Sequence, residues 1–561
     1  MEGRLTSASV LFVVLSMAAL VVRYPPSNVF SWDVFGYYLY LPASLIHHDP
    51  AIHDIGWVEK ARLLYDASST LYQAQEQPDG GWVLKYPVGL ALLWSPFFLL
   101  GHAAAWMTGQ PMDGFSAPYQ WSIISASLAF VAIGMHMLGR FLLRYFPDKV
   151  SALGILLIGF GTNYLHQAVW SVGMPHVPLF ALQATLLLLT VRWYGHGRTR
   201  DALLIACTYG LLCLVRPSEA VFILIPLLYG VVDARSLKAR FVHWRERRAQ
   251  LLLMFIVLAA LASVQFVYWK ALTGKFLYMS YNNPGEGFEF HRPFLVELLF
   301  SFRKGWLVYT PLMAFAVAGI WSLHRERSPW WLAMGAFFLV NLYIVSSWSC
   351  WWYADSFGQR SLVQSYAVMA MPLLFLIRAG WNARPTGRVF TLAVVPVLVL
   401  LNLFQTYQAT RGIIHTSRMT KAAYQATFGK VDPPAGLGDL FLPERLPTLS
   451  LRRPVLTGHR PVALAEVIGS VELAWPVEEV AGKGPFYLMM SGGAPARTAV
   501  ELRHAGYPYG ATSLVLSSGD GSCWYTSPDV RRPSDTLALS ITDVPSDHHT
   551  SIVLWLPMNA D

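Results

Sequence analysis

Long apolar runs separated by short polar segments fill the chain from its start to about residue 407. A helix that crosses the hydrocarbon core of a bilayer, about 30 Å thick, needs about 20 mostly apolar residues. Runs close to this length predict membrane helices at twelve places: 5–22, 86–107, 119–143, 150–166, 174–191, 201–216, 218–232, 250–269, 305–322, 329–347, 362–378 and 389–407.

Basic segments between these runs predict their orientation, because cytoplasmic loops collect Lys and Arg. The basic loops are 140–149, 192–200, 233–249, 323–328 and 378–388. All five lie inside only if 86–107 does not cross the membrane. We therefore expect that segment to lie along or re-enter the outer interface, with a break near Pro96. This solution has about 11 transmembrane helices, a cytoplasmic N-terminus, an extracytoplasmic C-terminus and a large outer loop at 23–118.

The pattern changes beyond residue 407. Short alternating runs, separated by Gly, Pro, Ser and Asp, predict strands from about residue 441 onwards. The sequence therefore predicts three parts: a transmembrane domain at 1–407, a linker at 408–440 and a small β-rich extracytoplasmic domain at 441–561.

Composition supports a membrane protein. Of 561 residues, 54% are hydrophobic and 13% charged, whereas about 25% charged residues are usual in soluble domains. The net charge of +9 does not indicate nucleic acid as a partner, since most basic residues lie in the short loops. The predicted fold class is a mainly α polytopic membrane protein, located in the inner or plasma membrane, with a C-terminal β-rich domain.

The segment SWDVFGYYLYLPASLIHHDP, at 31–50, opens the large outer loop and contains the first candidate for chemistry. Asp33 lies among aromatic residues, including Tyr37 and Tyr38. We expect partial desolvation to raise the pKa of Asp33 and make it a general base. The alternative is an acidic helix cap within an aromatic belt at the membrane interface.

Cationic residues at the outer interface are candidates for binding a phosphate, which carries negative charge as a leaving group. They are Lys85, Arg216, Arg303, Lys304 and Arg360. Each is also compatible with a membrane anchor whose head reaches the interface. Arg216 is the strongest candidate, because Arg-Pro inside a long apolar stretch is costly without a function.

Further polar residues on the outer loops are candidates for binding the substrate. They are His47, His48, Asp49, His176, Glu286 and Asp355, together with Tyr37 and Tyr38. Aromatic residues surround several of them, as is common where sugar rings stack. His and Asp also suit divalent metals, so His166 and His176 with His47, His48 and Asp49 leave a cation possible. We expect no obligatory metal.

The order of elements resembles the C-type (GT-C) membrane glycosyltransferases, which include oligosaccharyltransferases, protein O-mannosyltransferases and aminoarabinose transferases. The likeness rests on an Asp followed by paired Tyr after the first span, on KYPVGLALLWSPFFLLGH, and on segments reaching about residue 235. It implies a GT-C-like fold and a polyprenyl-phosphate donor, with Asp33 binding or deprotonating the acceptor. One departure is HQAVWSVGMPH at 166–176, where oligosaccharyltransferases carry further acidic residues.

The predicted function is transfer of a sugar from a polyprenyl-phosphate donor to a glycan, lipid or protein at the outer face. The inverting course is implied by the resemblance. Two alternatives stay open at this point. One is a polysaccharide polymerase or ligase that uses polyprenyl-diphosphate glycans, which the loop 348–360 keeps open. The other is a transporter of lipid-linked sugars.

Overall fold

A computed structural model describes residues 3–68, 71–281, 287–382 and 385–442, together with nine strands between residues 448 and 557. Helices occupy most of the first 442 residues. They are α1 Arg4–Arg23, α2 Asp33–Tyr38, α3 Tyr40–Leu45, α4 Ile55–Leu64, α5 Gly89–Thr108, α6 Ala117–Leu142, α7 Asp148–Phe160, α8 Tyr164–Val169, α9 His176–His196, α10 Thr199–Val215, α11 Leu224–Leu228, α12 Ala234–Glu246, α13 Arg248–Thr273, α14 Leu295–Phe300, α15 Trp306–Tyr309, α16 Met313–Arg325, α17 Trp331–Ser346, α18 Tyr366–Asn382, α19 Pro385–Thr410 and α20 Lys421–Thr427. Short 3₁₀ helices lie at Pro217–Ile223, Arg360–Ser365 and Leu437–Leu440.

Seven helices in the described part of the chain are long and apolar enough to cross a membrane. They are Arg4–Arg23, Gly89–Thr108, Ala117–Leu142, His176–His196, Arg248–Thr273, Arg360–Asn382 and Gly387–Thr410. The sequence predicted eleven such spans, so this number is corrected to seven for the described residues. The apolar run at 150–166 divides into α7 and α8, and the run at 218–232 begins in the 3₁₀ turn after Pro217. Pro and Gly end these helices early, because Pro lacks an N–H and Gly gains no packing from a side chain.

The five basic loops meet at one end of the helical bundle. The backbone N–H groups of Leu5 and Thr6 donate to the Asp148 carboxylate at 2.9 and 2.8 Å, so α1 and α7 begin side by side. Other contacts join the remaining loops: Arg378 to Glu326 at 2.6 Å and to the Phe146 ring at 5.6 Å, Arg247 to the Gly197 carbonyl at 3.0 Å, and the Gly230 N–H to the Pro329 carbonyl at 2.7 Å. The position of all five basic loops at one end of the bundle agrees with the prediction that they lie on the same side of the membrane. The side of the membrane on which it lies stays a prediction.

The helix α5 is continuous through Pro96, so the expected break at that residue is wrong. Both flanks of α5 nevertheless return to the segment after α1. The Tyr40 hydroxyl donates to the Tyr86 carbonyl before α5, and the Tyr38 hydroxyl donates to the Gly114 carbonyl after it. That α5 lies along the outer interface and keeps 23–118 on one side of the membrane stays a prediction.

Strands are few before residue 442 and frequent after it. A hairpin pairs β1 Ala74–Glu76 with β2 Trp82–Leu84. The later strands are β3 Thr448–Ser450, β4 His459–Val467, β5 Val471–Pro476, β6 Tyr487–Gly492, β7 Ala496–His504, β8 Tyr507–Leu516, β9 Ser522–Thr526, β10 Asp535–Thr542 and β11 Thr550–Pro557. They pair antiparallel in the orders β5-β10-β7-β8 and β3-β9-β6-β11-β4. That they form a folded domain outside the membrane stays a prediction, as does the linker at 408–440.

Candidate active site

Asp33 is the first residue of α2, and the backbone that presents it is strained. The preceding residue, Trp32, has a φ of 52°, a conformation that residues other than glycine rarely adopt. Its N–H donates to the Ala67 carbonyl at 2.8 Å, and its own carbonyl accepts from Gln73 Nε2 at 3.0 Å. Strained residues persist where the surroundings determine them, and they are common at functional sites.

The Asp33 carboxylate lies between a phenol and a guanidinium. The Tyr86 hydroxyl donates to Oδ1 at 2.7 Å, and Arg360 Nη2 donates to Oδ2 at 2.8 Å. Tyr86 reaches α2 because Gly36 lacks a side chain: a Cβ there would lie 2.8 Å from Tyr86 Cδ2. The surroundings of Asp33 are therefore not only aromatic, as the sequence led us to expect, since they also include the guanidinium of Arg360.

Buried tyrosines form one wall of the site. The rings of Tyr37 and Tyr86 stack with centroids 4.2 Å apart, and Tyr281 meets Tyr86 edge to face at 5.8 Å. Burial raises the pKa of Tyr37 to about 12 and raises the pKa of Tyr281 well above its usual value. Both phenols therefore keep their protons at neutral pH and can donate hydrogen bonds to a bound ligand.

Two further predicted cations lie near tyrosine rings of this region. The guanidinium carbon of Arg216 lies 5.4 Å from the centre of the Tyr353 ring, and Lys85 Nζ lies 5.3 Å from the centre of the Tyr281 ring. The charge of Arg216 also acts on Tyr37, which is under the influence of Asp33 and Arg360 as well. The site thus combines one carboxylate with several cations and neutral phenols.

A buried carboxylate links the two arginine-bearing turns behind the site. Glu219 is 1% exposed and lies in the 3₁₀ helix Pro217–Ile223, which follows Arg216 directly. Its carboxylate accepts hydrogen bonds from Gln183 Nε2 and from Gln364 Nε2, each at 2.8 Å. Gln364 belongs to the 3₁₀ helix that begins with Arg360. The hydrogen bond between Glu219 and Gln364 therefore holds the 3₁₀ helix after Arg216 against the 3₁₀ helix that begins with Arg360.

His176 belongs to the same network. Its Nδ1 lies 3.1 Å from Gln364 Oε1, and the guanidinium groups of Arg360 and Arg216 are both close enough to act on it electrostatically. Of the predicted residues, the structure thus brings Asp33, Tyr37, Lys85, Arg216, His176 and Arg360 into one region.

Two predicted site residues have structural positions instead. Tyr38 is fully buried, stacks on Phe30 at 3.9 Å and donates its hydroxyl to the Gly114 carbonyl. Lys304 is 1% exposed and donates to the carbonyl of Ser356 and, at 2.8 Å, to its hydroxyl. Burial lowers the pKa of Lys304 well below its usual value, which makes it a poor phosphate ligand. The predicted roles of Tyr38 and Lys304 in binding stay predictions.

Two predicted residues of the outer loops contact neighbouring loops. Arg303 Nε donates to the Ser417 carbonyl at 2.7 Å, and its guanidinium lies 3.9 Å from the centre of a ring of Trp352. The Asp355 carboxylate accepts from the Thr416 hydroxyl at 3.3 Å. These contacts hold the loop 347–360 against the segment after α19.

The predicted cluster at 47–49 packs within its own loop. The His47 ring stacks on Trp57 at 4.1 Å, while His48 is exposed. Asp49 accepts from His53 and from a backbone N–H, each at 3.1 Å, and these hydrogen bonds lower the pKa of its carboxyl against the opposing effect of burial. No contact in the described residues joins these three to Asp33.

The described residues contain no group of three or more His, Cys, Asp or Glu that could hold a metal ion. His166 is buried, and its Nδ1 has no hydrogen-bond partner among the described residues. Glu286, a predicted substrate ligand, lies outside the described residues.

Sequence reasoning missed Tyr86, Tyr281, Tyr353, Glu219 and Gln364. Glu219 could have been found, because an acid within an apolar stretch, three residues from an arginine, indicates a function by itself. The others carry no local signal, since tyrosines and glutamines at an interface are common.

Comparisons with known proteins give matches among solved structures. No protein-family model matches the chain, and no curated protein matches it. Three structures of an oligosaccharyltransferase from Archaeoglobus fulgidus are similar at 14% sequence identity. The structure of archaeal oligosaccharyltransferase AglB with an inhibitory peptide and a dolichol-phosphate matches 72% of this chain and 55% of its own, with a TM-score of 0.40.

The apo form matches 77% of this chain and 60% of its own, with a TM-score of 0.43, and the complex with Zn and sulfate matches 71% and 52%, with a TM-score of 0.40. The chain therefore spans 52–60% of the length of these structures. The geometry of the site is described from this chain alone. In part of its fold, the chain resembles an archaeal oligosaccharyltransferase, which has a GT-C fold.

Proposed function

We propose that this protein transfers a sugar from a polyprenyl-phosphate donor to a glycan, lipid or protein acceptor at the outer face of the membrane. Asp33 acts as the base, and Arg216 and Arg360 support the departing phosphate. The observation that carries the proposal is the Asp33 carboxylate, which lies 2.8 Å from Arg360 in the region that also contains Arg216 and Lys85.

The arrangement suits a single displacement at the anomeric carbon. The acceptor hydroxyl gives its proton to the Asp33 carboxylate as its oxygen forms a bond to the anomeric carbon. The bond from that carbon to the donor phosphate oxygen breaks, and the phosphate leaves with the electron pair. Arg216 and Arg360 stabilise the charge that develops on it. Attack from the face opposite the leaving group inverts the anomeric centre, and the step as written needs no divalent cation.

Arg360 links the carboxylate and the phosphate parts of the proposed site. It is paired with Asp33 at 2.8 Å. A guanidinium has five N–H donors, so it can hold a phosphate oxygen and a carboxylate at once. The base and the leaving group would then be positioned by one side chain.

The loop 347–360 also fits a single transferase site. It contributes Tyr353 and Arg360 to the Asp33 region, so its composition needs no separate polymerase or ligase function. A second carboxylate at the site, Glu219, is occupied by two glutamine amides and is not available as a base.

The test compares the wild type with Asp33→Asn in membranes, using radiolabelled polyprenyl-phosphate sugars and separate lipid, glycan and protein fractions. We expect the variant to lose about 10²–10⁴-fold in transfer with donor binding retained, because the amide cannot accept the proton. The matched control is Asp79→Asn, the same change in the same outer loop, where the carboxylate accepts from the Gly81 N–H at 3.2 Å.

Equal activity of wild type and Asp33→Asn would remove Asp33 from the reaction and favour the polymerase or ligase. Equal loss in both variants would point to folding of the loop rather than to chemistry. An absence of transfer from every donor in the panel would favour the transporter.

A further inference from the structure

An apolar groove lies at the end of the bundle that carries the basic loops, away from Asp33. Residues of α9 to α13 surround it, and its volume is about 200 Å³. Its lining includes Trp193 and Tyr194 of α9, Tyr209 of α10, Trp244 of α12, and Met254 and Leu258 of α13.

The lining residues of α13 reach to about the depth of one membrane leaflet. Leu258 is ten residues beyond Arg248, the first residue of α13. At 1.5 Å per residue this is about 15 Å along the helix, or half of a hydrocarbon core of about 30 Å. An acyl chain of one leaflet covers the same depth.

The polar side-chain atoms of the lining residues Trp244, Tyr194 and Tyr209 already have hydrogen-bond partners within the protein. The Trp244 indole donates to the Tyr194 hydroxyl at 3.0 Å, and the latter donates to the Pro226 carbonyl at 2.9 Å. The Tyr209 hydroxyl donates to the Ala220 carbonyl at 2.8 Å. The groove therefore offers a ligand a hydrocarbon surface.

The helix α12 lies at the mouth and has the composition of a helix at a membrane surface. None of its residues is buried, and a capping box formed by Asp233 and Ser236 fixes its start. Phe241 and Val242 are 59% and 52% exposed. Exposed apolar residues interspersed with basic ones are typical of helices that lie in the headgroup region.

Positive charge is concentrated around this mouth. The exposed basic residues of α12 and the adjoining loops are Arg198, Arg200, Arg235, Lys238, Arg245 and Arg248. Among the described residues, none of them forms an ion pair with a carboxylate. The nearby Asp201 is buried and already paired with Arg192 at 2.7 Å. The mouth is therefore complementary to a phosphate.

Arg240 supplies an unsatisfied donor beside the groove. Its guanidinium lies 3.8 Å from the centre of the Tyr194 ring, and its Nε is buried without a hydrogen-bond partner among the described residues. Buried donors normally have a partner in the protein or in a ligand.

We propose that this groove binds one anionic glycerophospholipid, with an acyl chain along α13 and the phosphate at the basic residues of α12. This site is separate from the Asp33 region and does not depend on the proposed transfer reaction.

The experiment measures lipid binding to the full-length protein in detergent by native mass spectrometry, with phosphatidylglycerol and phosphatidylcholine of the same chain length as probes. We expect tighter binding of phosphatidylglycerol. In the double variant Lys238→Gln/Arg245→Gln, we expect its affinity to fall about 25-fold, or about fivefold for each cation removed. The matched control is Arg140→Gln/Arg144→Gln, which removes two exposed arginines from another basic loop, and it should leave the affinity unchanged.

A second variant tests the groove itself. Leu227→Trp adds volume at a lining residue that is 37% exposed, so it should weaken both lipids while the thermal midpoint stays within a few degrees. Equal affinity for the two lipids, or equal loss in the control pair, would overturn the proposal. Competition by glycerol phosphate as strong as that of the whole lipid would instead show a site for free phosphate and would also overturn it.

Discussion

At the scale of single residues, the site depends on pairs that are distant in sequence. Asp33 and Arg360 are 327 positions apart, yet their side chains are 2.8 Å apart. The strained backbone at Trp32 and the similar positive φ of Tyr353, 51°, lie on the two segments that supply these residues. Both segments therefore carry strain that packing must offset.

The first residue-scale prediction concerns Glu219. In Glu219→Gln, one carboxylate oxygen becomes an amide that faces the donor of Gln183 or Gln364, so one buried hydrogen bond is lost. We expect the variant to be about 1–3 kcal/mol less stable, because a buried donor is left without a partner. Thermal unfolding in detergent measures this.

If the link also positions Arg216 and Arg360, sugar transfer by folded Glu219→Gln should fall in kcat more than it changes KM. The control is Glu246→Gln, where the carboxylate is exposed at the end of α12. An unchanged thermal midpoint in Glu219→Gln would show that the two hydrogen bonds contribute nothing to stability.

At the scale of helices, close packing depends on small residues at crossings. Gly319 in α16 contacts α18 so closely that a Cβ would lie 1.9 Å from the Pro372 carbonyl oxygen. The α16 and α18 helices then approach with backbone against backbone, as is usual for small residues at membrane helix contacts.

The prediction at this scale is that Gly319→Ala destabilises the protein by about 1–3 kcal/mol, because the helices must separate to admit the methyl group. The control is Gly335→Ala in α17, where the nearest atom to a new Cβ is Ile320 Cγ2 at an ordinary 3.5 Å. Alanine there should leave stability unchanged or raise it by up to about 1 kcal/mol, since it favours a helix over glycine. Equal thermal midpoints for the two variants would contradict the crossing as described.

At the scale of the whole molecule, two observations bear on whether α5 crosses the membrane. The basic loops meet at one end of the bundle, and both flanks of α5 contact the segment after α1. The N-terminus and the α6–α7 loop lie together, with α1 and α6 as the long helices that cross between them. A third crossing by α5 would place these two ends on opposite sides of the membrane.

We therefore predict that single cysteines at Pro78, before α5, and at Gln110, after it, react with an impermeant thiol reagent from the same side of the membrane. A cysteine at Lys149 should react from the other side. Intact and opened cells or vesicles distinguish the two sides, after Cys207, Cys213, Cys350 and Cys523 have been replaced. Labelling of Pro78→Cys and Gln110→Cys from opposite sides would mean that α5 crosses the membrane.

The sequence predicted the class of the protein because its signals are local. Apolar runs and basic loops report on neighbouring residues, and the need to satisfy backbone hydrogen bonds in lipid turns such runs into helices. Helix ends were harder to predict, because Pro217 and Gly161 ended helices inside runs that are apolar throughout, whereas Pro96 stayed within α5.

The candidate site residues also divide into those that a local signal identifies and those that it does not. Asp33 and Arg216 could be chosen from sequence, since a carboxylate in an aromatic outer segment and an arginine in an apolar stretch both carry a cost that indicates a function. Tyr38 and Lys304 are of the same residue types as Tyr37 and Lys85, which lie in the region of Asp33. Burial against Gly114 and Ser356, however, gives them structural contacts.

By itself, the sequence determined that this is a helical membrane protein and that its basic loops share one end, whereas the outer position of the loop that Asp33 opens stays a prediction. Tertiary structure alone decided that Arg360 pairs with Asp33, that Glu219 joins the turns of the two arginines and that an apolar groove lies beside α12. Hydrophobicity and charge act position by position along the chain. Which distant side chains meet depends on how helices cross, and no local pattern records it.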